Sequence, residues 1–240
     1  MFSLDSIRST THIGLLVSLL ALPAILQADS TNAPQPTSDP VVQETWLGHQ
    51  VVQTSREIMV IGKIKTQVDA FVLAKVKRTN NRIEIKQEVC ALQFSENFGV
   101  TVSMSSETVS KLPAAAMVFQ KQPSSSKFVA KPWEVVWDER DLEGDKEPGA
   151  TVHVDAGVCS GEIYVGSSTR SIATGELTQT GFSAHVNVDM EQTIFGASNW
   201  CLSVAVTDSI EHQKGFLSYK VVPKETTCQS LGLTKKATHQ

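Results

Sequence analysis

The residue pattern predicts an all-β fold: an antiparallel barrel or two-sheet sandwich built from hairpins, with one short helix near residues 106–112. Three observations carry this expectation. β-Branched residues alternate with Lys, Glu and Gln over many short runs; turn residues recur every ten residues or so; and helix signals are scarce. That spacing is the pattern of sandwiches and barrels.

The clearest piece lies between Ile58 and Phe94. Residues 68–77 carry Phe71, Val72, Leu73 and Val76, and residues 83–94 carry Ile83, Ile85 and Val89. The polar stretch Arg78-Thr79-Asn80-Asn81-Arg82 joins them, which reads as a β-hairpin. Within the second run Ile83 and Ile85 point one way, whereas Cys90, Leu92 and Phe94 point the other. A period of two then demands a bulge near Gln87 and Glu88, or burial on both faces.

Earlier, residues 51–54 and 57–64 read as strands, with Gly62 a bulge or close-packing point. Later, residues 100–104 read as a strand. Residues 106–112 form one or two helical turns, capped by Ser105 or Ser106 and closed by Pro113. Residues 114–120 are apolar without a clear period. Residues 128–137 read as a strand following Pro132, with Trp133 and Trp137 directed to the core.

Residues 138–149 form an acidic loop that marks a seam. Beyond it, residues 151–155, 161–165, 171–177 and 182–188 read as strands, the last two joined by Thr178-Gln179-Thr180-Gly181. Met190, Ile194, Phe195, Leu202, Val204 and Val206 continue the alternation, and residues 216–222 form a last strand. The two hairpins superpose at an offset of about one hundred residues, which raises two similar halves as an architecture.

The N-terminus bears on compartment. Arg8 precedes an apolar run from Ile13 to Leu26, which ends at Leu26-Gln27-Ala28. That is a secretory signal peptide over residues 1–28. The run falls short of the ~20 residues a spanning helix needs, and no later segment approaches that length. Residues 29–43, rich in Pro, Ser and Thr, form a disordered leader. One β domain then spans residues 44–225, and residues 226–240 form a polar tail. The expected location is secreted, periplasmic or extracellular.

Cys90, Cys159, Cys201 and Cys228 are disulfide candidates in such a compartment. The shorter separations favour Cys90 with Cys159 and Cys201 with Cys228. No Cys-x-x-Cys pair supports a zinc ribbon or a dithiol oxidoreductase. A net charge of −4 with mixed signs gives no electrostatic reason to bind nucleic acid or anionic lipid.

Catalytic candidates are thin. Gly157-Val158-Cys159-Ser160-Gly161 could expose a nucleophile, but it lacks the Gly-x-Ser-x-Gly elbow and a positioned base. His153 with Asp155, and His185 with Asn187 and Asp189, place ligand-type side chains on strand faces, though alternating polar residues also form the wet face of a sheet. Asp141, Glu143 and Asp145 have a calcium-like alternation without the calcium-loop order, and read as a solvated loop. Glu162, Glu176 and Asp189 could pair as glycosidase acids only if the fold brought two together. Trp46, Trp133, Trp137 and Trp200 read as core aromatics before pocket linings. No catalytic, metal or cofactor-binding residue is assigned, and no cofactor is expected.

Size, leader, an early tryptophan and the up-and-down pattern resemble small secreted ligand-binding barrels such as the lipocalins. The Gly-x-Trp signature of that group is absent, since residues 45–48 read Thr-Trp-Leu-Gly. The expectation is a non-enzymatic exported protein that binds a small apolar ligand or an envelope or extracellular partner. A secreted hydrolase with a dispersed site and a purely structural or adhesive module are the alternatives.

Overall fold

Residues 39–58, 62–96 and 99–233 are described by a computed structural model of the chain. The segments expected as signal peptide and, for the most part, leader lie outside them. Strand β1 (Val42–Ile58) pairs along its length with β2 (Gly62–Arg78), which turns through residues 79–81 into β3 (Arg82–Phe94). This is the hairpin the alternation predicts. Its turn is closed by the Thr79 amide donating to the Arg82 carbonyl at 2.8 Å.

A bulge is present, but two residues beyond the expected Gln87–Glu88 position, where the ladder is still regular. Phe71 pairs with Ala91 and Val72 with Val89, so Cys90 is the extra residue on β3. Ile83, Ile85 and Gln87 before it are buried, while Glu88 is exposed.

Strand β4 (Thr101–Met104) precedes helix α1 (Ser106–Lys111). Ser105 is the N-cap, accepting from the Thr108 amide. Residues of uncertain type become strand β5 (Ala115–Lys121). The aromatic run is cut in two at Lys131-Pro132, giving β6 (Lys127–Ala130) and β7 (Trp133–Trp137), because proline has no N–H for the ladder.

After the acidic loop come β8 (Ala150–Asp155), β9 (Gly161–Leu177), β10 (Gly181–Ala197), helix α2 (Trp200–Ala205) and β11 (Ser209–Val222). Two sequence expectations are corrected here. The separate strands at 161–165 and 171–177 are one continuous β9. The small residues between them permit close packing: a Cβ on Gly166 would stand 2.8 Å from the Phe195 ring. The alternation at Leu202, Val204 and Val206 is a helix, since Asn199 caps it by accepting from the Leu202 amide at 2.9 Å.

Eight strands close a ring in the order β10, β11, β1, β2, β3, β5, β6, β9, and β9 pairs again with β10. All pairings are antiparallel, so this is an up-and-down barrel. Only the last third of β9 faces β6. Its earlier part pairs with β7 and β8, and β8 with β4, so the sheet leaves the ring as a lateral annex. Strands from both sides of the 138–149 loop thus share one sheet.

The two hairpins compared above sit four strands apart in the ring of eight, on opposite walls. Strands β2 and β9 each have 17 residues and open at Gly62 and Gly161.

Two apolar clusters result. Inside the ring Trp46, Phe119, Phe128 and Phe182 interlock, with Phe119 and Phe128 edge-on to Phe182. Val72, Val76, Ile83, Ile85, Met117 and Leu217 fill the rest. Gly48 has no side chain because the Tyr219 ring occupies that space: a Cβ there would lie 2.6 Å from it. In the annex Ala150, Val152, Ile163, Val165 and Leu202 form the second cluster. Outside the ring, Lys75, Lys77, Lys86 and Glu88 are exposed. A lipid-facing wall would carry apolar residues at such positions.

The disulfide pairing expected from separation is overturned. Cys90 bonds Cys228 and Cys159 bonds Cys201, with Cα atoms 5.2 and 5.9 Å apart. The pairing follows the sheet. Ile163 lies opposite Ala197, which brings the turn before β9 to the start of α2. The C-terminal segment folds back over the outside of β1 and β2, where Thr45 and Lys75 donate to the Lys224 carbonyl, and so reaches the bulge at Cys90. No helix among the described residues is long and apolar enough to cross a membrane.

Candidate functional site

The barrel mouth holds a concavity lined from several strands and a turn. The start of β1 supplies Glu44 and Trp46, two residues apart and therefore on one strand face. The end of β2 supplies Arg78, the β9–β10 turn supplies residues 177–181, and β11 ends at Val221 beside them. Together they line a half-open pocket of about 380 Å³.

Its floor is Trp46, only 1% exposed and packed against Phe182 and Tyr219 at ring distances of 6.2 and 5.8 Å. Leu177 and Val221 stand on the walls, 41% and 50% exposed. Arg78 donates to Glu44 twice, from Nε and Nη2, each at 3.0 Å. The Trp46 indole N–H donates to the same carboxylate at 2.8 Å.

These bonds set the charges. The Arg78 hydrogen bonds hold the Glu44 carboxyl below the usual carboxylate range, against the opposing effect of partial burial. The guanidinium is held still more firmly protonated. Glu44 spends most of its acceptor capacity within the protein. Arg78 commits two of a guanidinium's five N–H groups. The mouth therefore offers donors, a nearly neutral ion pair and an apolar wall.

Below this floor the described part of the interior is packed with the buried side chains of the ring cluster. A polar cluster sits there, with the Tyr219 hydroxyl donating to Gln87 Oε1 and Gln50 Nε2 donating to both. Burial pushes the Tyr219 phenol well above its ordinary value. A hollow, ligand-carrying interior is not what these side chains build.

The sequence-derived catalytic and metal candidates are dispersed. Cys159 is consumed by its disulfide, and Ser160 donates to Asp155. His153 pairs with Glu162 across β8 and β9 at 3.3 Å, and His212 pairs with Asp189 across β10 and β11 at 2.7 Å. Glu176 lies opposite Lys127 in the ladder. Glu162, Glu176 and Asp189 therefore each meet a different neighbour. His185 stacks edge-on to Phe216.

Asp141, Glu143 and Asp145 do converge, with one oxygen of each within 4.8 Å of the others. Their partners are internal. Asp141 accepts from the amides of Gly144, Asp145 and Lys146, and the Gly144 bond chiefly lowers its pKa. Glu143 and Asp145 accept from Thr151. The acids brace the loop through these bonds, while Glu143 Oε2 is buried without a protein partner. Of the tryptophans, Trp46 reaches the pocket floor, Trp133 and Trp137 are half-buried on β7, and Trp200 is exposed.

Two sets of residues were missed from sequence. Glu44 and Arg78 had only one signal, the Glu-x-Trp spacing on a strand beginning before the expected domain start. His49 and Asp69 form an outward cross-strand pair at 2.7 Å, with the ring stacked on Phe71 at 4.8 Å. Ser218 faces His49 in register. The strand amides around them belong to the ladder. The chain matches no protein-family model, no curated protein and no solved structure.

Proposed function

We propose that the protein is an exported, non-enzymatic binding protein whose ligand seat is the mouth of the barrel. The pocket over Trp46 carries this reading: an apolar wall and floor beside a guanidinium with free N–H groups suit a small amphipathic molecule with a polar acceptor head. The filled interior limits such a ligand to the rim. Two disulfides are compatible with an oxidising, extracellular setting.

The test uses 8-anilinonaphthalene-1-sulfonate, whose sulfonate and rings match the two halves of the site. Val221→Trp fills the pocket from an exposed position and leaves the core alone. Dye affinity at least ten-fold weaker in V221W, with an unchanged circular dichroism spectrum, supports the seat. Equal binding by the variant sinks it.

A further inference from the structure

At the far end of the β9–β10 hairpin from the mouth, three large apolar side chains face solvent. Trp200 is 79% exposed, Val204 73% and Val158 fully so. Trp200 and Val204 are four residues apart on α2 and share a face. The Cys159–Cys201 bond, with Cα atoms 5.9 Å apart, ties the loop that carries Val158 to the first turn of α2, which carries Trp200.

The support beneath them is rigid. Leu202, on the other side of α2, is 3% exposed within the annex cluster. Asn199 Nδ2 donates to the Ser160 carbonyl at 3.0 Å, and Ser198 Oγ accepts from the Glu162 amide at 2.8 Å. Exposed apolar groups on a pinned platform cannot be explained as a fraying end. Trp is a frequent anchor of protein interfaces, and the two valines extend it into an exposed apolar patch of the kind that marks an interaction site.

Charge indicates what they meet. From Glu147 to Gln213 the only Lys or Arg is Arg170, while Glu147, Asp155, Glu162, Glu176, Asp189, Glu191, Asp208 and Glu211 are acidic. Between Gly62 and Lys86, by contrast, stand Lys63, Lys65, Lys75, Lys77, Arg78, Arg82 and Lys86 against Asp69 and Glu84. The modest net charge hides a strongly one-sided distribution. Asp155 lies in the same loop as Val158, and Glu162 and Asp208 lie at the root and exit of the platform.

We infer that the Trp200–Val204–Val158 platform docks a cationic, amphipathic protein segment, its apolar residues on the three side chains and its Lys or Arg on the surrounding acids. The acidic surround repels anionic lipid and disfavours a membrane as the occupant.

Fluorescence titration of the full chain with a synthetic amphipathic Lys/Leu helix peptide tests this, with phosphatidylcholine and phosphatidylglycerol vesicles in parallel and with affinities of chain and variants read from the anisotropy of a fluorescein label on the peptide. The expected result is a blue shift of tryptophan emission with peptide only. Affinity should fall at least ten-fold as salt is raised to ~500 mM, where the Debye length is only a few ångströms. Trp200→Ser with Val204→Ser should weaken binding at least ten-fold, and Val158→Ser, outside the helix, should weaken it by several-fold. No peptide binding, undiminished binding by both variants, or a shift with either vesicle overturns the proposal.

Discussion

The barrel interior and the annex solve the same problem with unequal means. The ring buries sixteen side chains in one cluster, five of them aromatics linked through Phe182 and Trp46, and closure pairs both edges of the ring. The annex buries five, none of them aromatic, and leans on half-buried neighbours such as Trp137 and Ile194. Its helix has six residues, too few to persist alone, and is tied by Asn199 and the Cys159–Cys201 bond. Closure seals the first region, whereas cross-linking and capping hold the second.

The contrast can be broken most directly at Phe182. Replacing this fully buried ring by Ala should cost about 3–5 kcal/mol, seen as a lowered denaturant midpoint for the whole chain. Leu202→Ala in the annex should cost less and speed amide exchange there first; an equal global loss would show that the two clusters are one cooperative unit.

The disulfides sharpen the comparison next. Chain entropy gives upper values of about 5 kcal/mol for the 138-residue separation and about 4 kcal/mol for the 42-residue one. Serine replacements at Cys159 and Cys201 should loosen α2 and β8 in hydrogen exchange while the ring stays protected. The Cys90 and Cys228 pair of replacements should lower stability of the ring itself.

A third test overfills the ring. Gly48→Ala sets a methyl against the Tyr219 ring and Val72, for a loss of about 1–3 kcal/mol by thermal denaturation.

The smallest effect is at the mouth. Because Arg78 lowers the folded-state pKa of Glu44, folding is favoured while the carboxylate is ionised in both states. That contribution is present above the ordinary carboxylate range and is lost as pH falls through the lowered folded value. Glu44→Gln should cost about 1 kcal/mol at neutral pH and remove this part of the acid sensitivity, read from midpoints at descending pH.

Much of the barrel was legible because its signals are local. The alternation at Ile83, Ile85 and Gln87 against Lys86 and Glu88, the Thr178–Gly181 turn and the Ser105 cap each need only a few adjacent residues. Where reading failed, a distant partner had decided. Gly166 and its polar neighbours look like a loop until Phe195 packs on them. Leu202 and Val204 look like strand until Asn199 and Cys159 fix a helix turn. Glu44 and Arg78 stand 34 residues apart, and nothing in either neighbourhood announces their meeting.

Side-chain period, turn chemistry and capping are properties of short stretches, and by themselves they established antiparallel strands, hairpins and one helix. Closure of the ring, the choice of sulfur partners, the filling of the interior and the gathering of the mouth residues were settled only in three dimensions. Each depends on strands far apart in the chain becoming neighbours, and sequence separation carries no information about which edge a strand will find.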